Sequence, residues 1–392
     1  MRNLARLLAL GVLVWVAPVY AGLIVVPLPE ILTDPNEGNT YGFLPVLLLL
    51  DRNGRLENII AHDIRYNKIT GWFPAFRLFG YPTIDQRYYI LLRKSQKIDE
   101  DFVGEYERDG MLDGAMNVLV NLSYFQDSRL RFYGFGNETK ESGESNYTQD
   151  KFATLLRVAY RPIEKFEIAW QGRVETVSIH HGGVTDLPFT GTLYPDTQGL
   201  DGSTVNGQSF GVAYDDRDST TITNRGTLGA ARVEVVDRAL GSSKSYVKYG
   251  FELRHFVPLR ERFVLALHSV LDYLQNANQA PFYERSSLGG VKSLRGFGGD
   301  RFVDSNRFFS TVELRTMALR REMFDVLTEF EIAPFFDVGE VFSSARTVPV
   351  DSLHFVGGVG FRGVVRPQVV GFVDMGYGSE GPAVFTGLDY PF

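Results

Sequence analysis

The sequence predicts an all-β chain rolled into a membrane-spanning antiparallel barrel. Two observations point there: long runs alternate apolar with polar residues at period two, and short turns alternate with long loops. Val247, Tyr249, Phe251 and Leu253 alternate with Lys248, Gly250, Glu252 and Arg254. Phe166, Ile168, Trp170 and Val174 alternate with Glu167, Gln171, Arg173 and Glu175. Phe330, Ile332, Phe336 and Val338 oppose Glu329, Glu331 and Asp337. Runs near 149–160, 208–217, 307–317, 352–363 and 367–377 behave the same way. A soluble sandwich also alternates, but its core could not hold the charges crowding the polar face, whereas a watery lumen can. A charge turned to the bilayer midplane costs about 2–4 kcal/mol, so keeping charges on one face across many strands is a strong constraint.

At the amino end, Arg2 and Arg6 precede an apolar run from Leu7 to Val16, then Pro18 and the small-residue end Val19-Tyr20-Ala21. Residues 1–21 are therefore expected to be a secretory signal peptide cut after Ala21. No later stretch approaches twenty apolar residues, so a membrane role requires a barrel. Residues 22–40, with Pro27, Pro29 and Pro35, are expected as an irregular periplasmic lead-in, and 41–392 as the barrel. Asp51-Arg52-Asn53-Gly54 reads as a tight hairpin turn. Short turns at 161–164 and 258–260 alternate with long polar loops at 138–148, 179–207 and 274–306. About eighteen strand-like runs lie between Tyr41 and Phe392, with 81–113 the least regular and two of its runs readable as a hairpin beyond the membrane. In the last of them Leu388, Tyr390 and Phe392 share one face and Gly387 and Asp389 the other, as expected of a closing strand with lipid on its aromatic side. Proline removes a ladder donor; Pro45 in the expected first strand and Pro391 in the last mark a weak closing seam.

The chain has no cysteine, which excludes a disulfide framework and thiolate chemistry. Its formal charge of −7 becomes −9 without the two signal arginines, which argues against nucleic acid as partner. Gly207-Gln208-Ser209-Phe210-Gly211 matches a nucleophile elbow by letter, but it opens a strand instead of a strand-turn-helix. Gly358-Val359-Gly360-Phe361-Arg362-Gly363 matches a dinucleotide pattern, yet it lies within an alternating run, where glycines would give space in the lumen. His180-His181 lacks a further ligand at metal spacing. No catalytic residue, metal or cofactor is expected, and the chain does not read as an enzyme.

The loop 274–306 contains Leu294-Arg295-Gly296-Phe297, followed by Arg301-Phe302, Val312-Glu313-Leu314-Arg315 and Phe335-Phe336-Asp337-Val338-Gly339. Upstream stand Phe132-Tyr133-Gly134-Phe135-Gly136-Asn137 and Tyr214-Asp215-Asp216-Arg217-Asp218. This ordered set resembles the bacterial surface antigen superfamily, the outer-membrane barrels related to BamA, TamA and two-partner secretion transporters. The resemblance implies sixteen strands and a 274–306 loop folded into the lumen, where Arg295 pairs with Asp337 and Glu313 helps. Both acids fall on the polar face, and a confined guanidinium suits bidentate carboxylate pairing. It also implies a bacterial outer-membrane protein that assists insertion or passage of protein or lipid. Its expected partners are outer-membrane lipid, client outer-membrane proteins or a periplasmic protein. The 19 residues from Gly22 to Thr40 could not hold a POTRA domain. The alternative is a passive channel, surface antigen or structural barrel.

Overall fold

A computed structural model describes residues 22–323, 326–344, 352–365, 369–388, 390 and 392. The expected signal peptide and Pro391 lie outside the described residues. The first strands are β1 (Gly22–Asp34), β2 (Gly38–Leu50), β3 (Leu56–Asn67), β4 (Gly71–Thr83), β5 (Gln86–Lys94), β6 (Glu100–Met111) and β7 (Met116–Phe132). Then come β8 (Ser145–Ile163), β9 (Phe166–His181), β10 (Ser203–Asp215), β11 (Gly226–Val236), β12 (Tyr246–Arg260) and β13 (Phe263–Gln275). The remainder are β14 (Ser286–Leu288), β15 (Phe302–Asp304), β16 (Asn306–Met323), β17 (Val326–Phe342), β18 (His354–Val365), β19 (Val369–Gly378) and β20 (Gly381–Leu388).

All but β14 and β15 join one eighteen-stranded sheet, each strand antiparallel to the next, with β13 pairing β16 across the long connection. The sheet rolls round until β20 lies beside β1. There Thr33 N donates to Thr386 Oγ1 at 2.8 Å, and that hydroxyl donates to Ile31 O at 2.7 Å. Among the described residues no ladder pairs β1 with β20.

Three expectations need correction. The 22–40 segment is not an irregular lead-in: it forms β1 and the start of β2, paired from Gly22↔Leu50 to Asp34↔Gly38. Pro27 faces Pro45 and the β1–β2 ladder runs through the pair unbroken, whereas the β2–β3 ladder skips Leu44 and Pro45, so the missing donor of Pro45 falls on the β3 side and leaves the pairing with β1 intact. Pro45 consequently lies in β2, an inner strand flanked by β1 and β3, and is not at the seam. Among the described residues the main sheet has eighteen strands where the resemblance implied sixteen; β1 is one of them, and β5 and β6, from the irregular 81–113 stretch, stay in the sheet.

The two faces differ in kind. Outward lie Phe43, Trp72, Ile168, Phe210, Phe251, Phe336 and Phe355, all about half exposed. Inward lie the buried Asp63, Glu175, Glu313, Asp337, Arg362 and Asp374. Apolar outside and ionic inside inverts the usual arrangement in water and suits a wall against hydrocarbon. The inward face is covered by the β13–β16 connection, which carries the small β14–β15 hairpin. Leu288, Leu294, Phe297 and Phe302 of that loop pack on Phe309, Phe335 and Val356 of β16, β17 and β18. At the opposite, short-turn rim the β10–β11 connection also turns inward, seating Ile222 on Val364 and Val370 with Tyr390 beside them.

Candidate functional site

Arg295 sits at the tip of the inserted loop and is 1% exposed. A backbone turn presents it: Phe297 N donates to Leu294 O and Gly290 N to Phe297 O, which closes a tight ring behind the side chain. Glycines on both sides allow the approach. A Cβ at Gly376 of β19 would stand 2.2 Å from Arg295 O, and one at Gly296 would stand 2.7 Å from Gly378 N. Any larger residue there would hold the loop off the wall.

Every donor of the guanidinium finds an acceptor. Nε and Nη2 grip Asp337 at 3.0 and 2.7 Å, the bidentate fork that a planar guanidinium favours. Nη2 also meets Thr311 Oγ1 at 3.0 Å, and Nη1 meets Glu313 at 2.9 Å and Asp374 at 3.0 Å. The Arg295 backbone N–H adds a bond to Asp337 at 3.1 Å, and the Phe335 ring lies 3.4 Å beneath the charge. Arg362 pairs with Asp374 and, at 3.2 Å, with Glu313; Arg315 pairs with Glu313 at 2.9 Å. Three arginines thus balance three carboxylates in a water-poor place, where an unpaired charge would be costly. A Cβ at Gly360 would fall 2.3 Å from Arg362 and 2.5 Å from Asp374, so that glycine makes room for the pair.

The structure therefore brings Leu294, Arg295, Gly296, Phe297, Glu313 and Asp337 together. Sequence reasoning missed Asp374, Thr311, Arg315 and Arg362, although Asp374 and Arg362 sit on the polar parity of their strands. It also missed a second anchor of the same loop. Glu284 meets Arg173 Nη2 at 2.9 Å and Tyr246 Oη at 3.1 Å, and pairs with Lys248. Burial alone would lift the Glu284 carboxyl, but Lys248 and Arg173 outweigh it and hold it below the ordinary carboxylate range. An acid of the loop is thus pinned to the basic wall of β9 and β12, and a base of the loop to the acidic wall of β16, β17 and β19. Alternation marked Arg173 and Lys248 as inward, but not what crosses the lumen to meet them.

The carboxyl end departs from expectation. β20 is described over Gly381–Leu388, and beyond it Tyr390 and Phe392 are turned inward, not toward lipid. Arg315 lies 3.9 Å from the Tyr390 ring and 5.0 Å from Phe392. Tyr390 Oη donates to Glu331 at 2.9 Å, and Phe392 stacks on His268 at 5.2 Å. The reason is local: Arg315 and Glu331 are inward charges at the margin of the cluster, and the two aromatics supply a cation–π face and a hydroxyl. Gly387 stays in β20, where a Cβ would strike the Phe372 ring at 2.8 Å. The decoy motifs remain structural: Ser209 and Gly360 lie mid-strand, in β10 and β18. His180 approaches Asp150 at 3.4 Å, and His181 stacks on Phe189. Among the described residues no group of three acids or histidines is placed to hold a metal.

The Omp85 superfamily domain matches residues 101–362, two thirds of the chain, including the loop and its partners up to Arg362. The chain belongs to the Omp85 superfamily. Among solved structures it is similar to BamA from Haemophilus ducreyi, a form lacking POTRA domains 1–3. That match has 13% identity and a TM-score of 0.57, covering 94% of this chain and 74% of the other. It is similar also to CdiB from Acinetobacter baumannii, at 14% identity and a TM-score of 0.53, covering 94% of this chain and 59% of CdiB. At such identities these likenesses establish the shared fold. No curated protein matches the sequence. This Omp85 chain thus shares the fold of both structures and inserts its Leu294-Arg295-Gly296-Phe297 loop into the space its sheet encloses.

Proposed function

We propose that this Omp85 protein lies in the bacterial outer membrane and assists the insertion or passage of protein, or lipid, through a sheet that parts between β1 and β20. The observation that carries the reading is the seam. Its neighbours pair by continuous ladders, whereas among the described residues β1 and β20 share no ladder and meet through the Thr386 hydroxyl. A strand edge with unpaired N–H and C=O groups is a template on which another strand can add. The work is non-covalent: exposing that edge lets a client strand exchange water for ladder partners inside the bilayer. Client outer-membrane chains, surrounding lipid and a periplasmic partner are the fitting associates.

The test is client folding. The full chain in liposomes should speed the appearance of a heat-modifiable, folded barrel from an unfolded client. A Thr33→Cys/Thr386→Cys disulfide should cancel that acceleration, and reduction should restore it. No acceleration over empty liposomes would sink the reading. A passive channel would instead give steady conductance in planar bilayers; the packed loop across the lumen favours a closed state.

A further inference from the structure

We propose that residues 295–301 form a strap across the β1–β20 seam, so that the seam parts only when the strap releases one side. This rests on the seam reading above and adds what holds the seam shut. The segment grips the last hairpin first. Arg295 bonds Asp374 of β19 at 3.0 Å, and its backbone lies on Gly376 with no room for a side chain between.

A few residues on, the same segment reaches the first hairpin. Asn36, in the turn between β1 and β2, donates through Nδ2 to Gly299 O at 2.8 Å. The fit is close, since a Cβ on Gly298 would fall 2.1 Å from Asn36 Oδ1. That turn is itself braced: Asp34 Oδ1 accepts from Asn36 N at 2.7 Å, and Arg131 donates to Asn36 O at 2.9 Å. Arg301 then returns to the last hairpin and pairs with Glu380, between β19 and β20, at 2.6 Å. Arg301 is 3% exposed and is also held by Thr139 O at 2.7 Å. The strap therefore holds the last hairpin on either side of its contact with the first. Separating β1 from β20 at this rim must break the Asn36 bond or pull Arg295 and Arg301 from their acids.

The chain has no cysteine, so an introduced pair reports alone. Spin labels at Asn39→Cys and Pro382→Cys, on opposite sides of the seam, give a distance distribution across it in liposomes. The parent should show one narrow population. Asn36→Ala and Arg301→Gln should each add a longer-distance population, whereas Glu284→Gln, at the far anchor of the loop, should not. Heat-modifiable migration confirms folding, and should Arg301→Gln fail to fold, Asn36→Ala alone decides. An unchanged distribution in the variants, or a broad one already in the parent, overturns the strap. If the variants stay closed while the Thr33–Thr386 cross-link still stops client folding, the strap is wrong and the seam reading stands. If they open while that cross-link leaves client folding untouched, the strap stands and the seam reading falls.

Discussion

Replacing Arg295 with alanine tests whether the inserted loop is held by its charge. Arg362 and Arg315 would still neutralise Asp374 and Glu313. Of its side-chain donors among the described residues Asp337 would keep Thr311 Oγ1 alone, at 2.5 Å. A fully buried carboxylate left without its cation costs about 3–5 kcal/mol. At about 1.36 kcal/mol per tenfold, that is a loss of about 2.2 to 3.7 orders of magnitude in the population of the docked loop. Hydrogen exchange at Gly290 and Phe297, whose amides close the turn behind Arg295, reads that population directly. Both should lose protection by that factor while amides of β8 and β9 keep theirs. Arg295→Lys should recover only part, because one ammonium cannot reproduce the fork on Asp337 and reach Glu313 and Asp374 as well. Adding Asp337→Asn to Arg295→Ala should recover some protection, since the orphaned charge is gone. Protection unchanged in Arg295→Ala would refute the argument and leave apolar packing of Leu294 and Phe297 as the anchor.

Gly376→Ala should push the loop off β19, because the new Cβ would meet Arg295 O; overpacking of this sort costs about 1–3 kcal/mol and should show as a lower heat-modification midpoint in detergent. Glu284→Gln should loosen amides near 282–288 but not those at 290–297, read by the same exchange experiment. Because the folded Glu284 carboxyl is held below its ordinary range, its anchoring should be complete above about pH 4.3 and fade as pH falls further. Protection at 282–288, taken against the intrinsic exchange rate at each pH, should therefore fall in acid, while that of the Glu284→Gln variant changes little with pH. Tyr390→Trp should fluoresce without quenching by bromine on lipid chains; strong quenching would return the carboxyl end to the lipid face.

Much of the architecture was legible without coordinates. Alternation identified inward Glu313 and Asp337 and outward Phe336 and Phe355, because period two is a local property and each strand carries it whole. The inserted loop was legible for a different reason: Leu294–Phe297 is a weak signal by itself, and it was the resemblance of the ordered motifs to a known family that implied the loop folds into the lumen. Residues whose meaning depends on what lies across the lumen were not legible. Glu284 finds Arg173 and Lys248, and Arg301 finds Glu380, only because eighteen strands roll into one curve. Whether 22–34 becomes a strand, and whether Tyr390 and Phe392 face lipid or lumen, was likewise left to the fold. Prolines disfavour a ladder and aromatics favour lipid locally, yet the β1–β2 ladder runs unbroken through Pro27 and Pro45, and Arg315 and Glu331 draw the aromatics inward. Period and composition decide the faces of a strand; the partners of a buried charge are decided by curvature, which no short stretch of sequence contains.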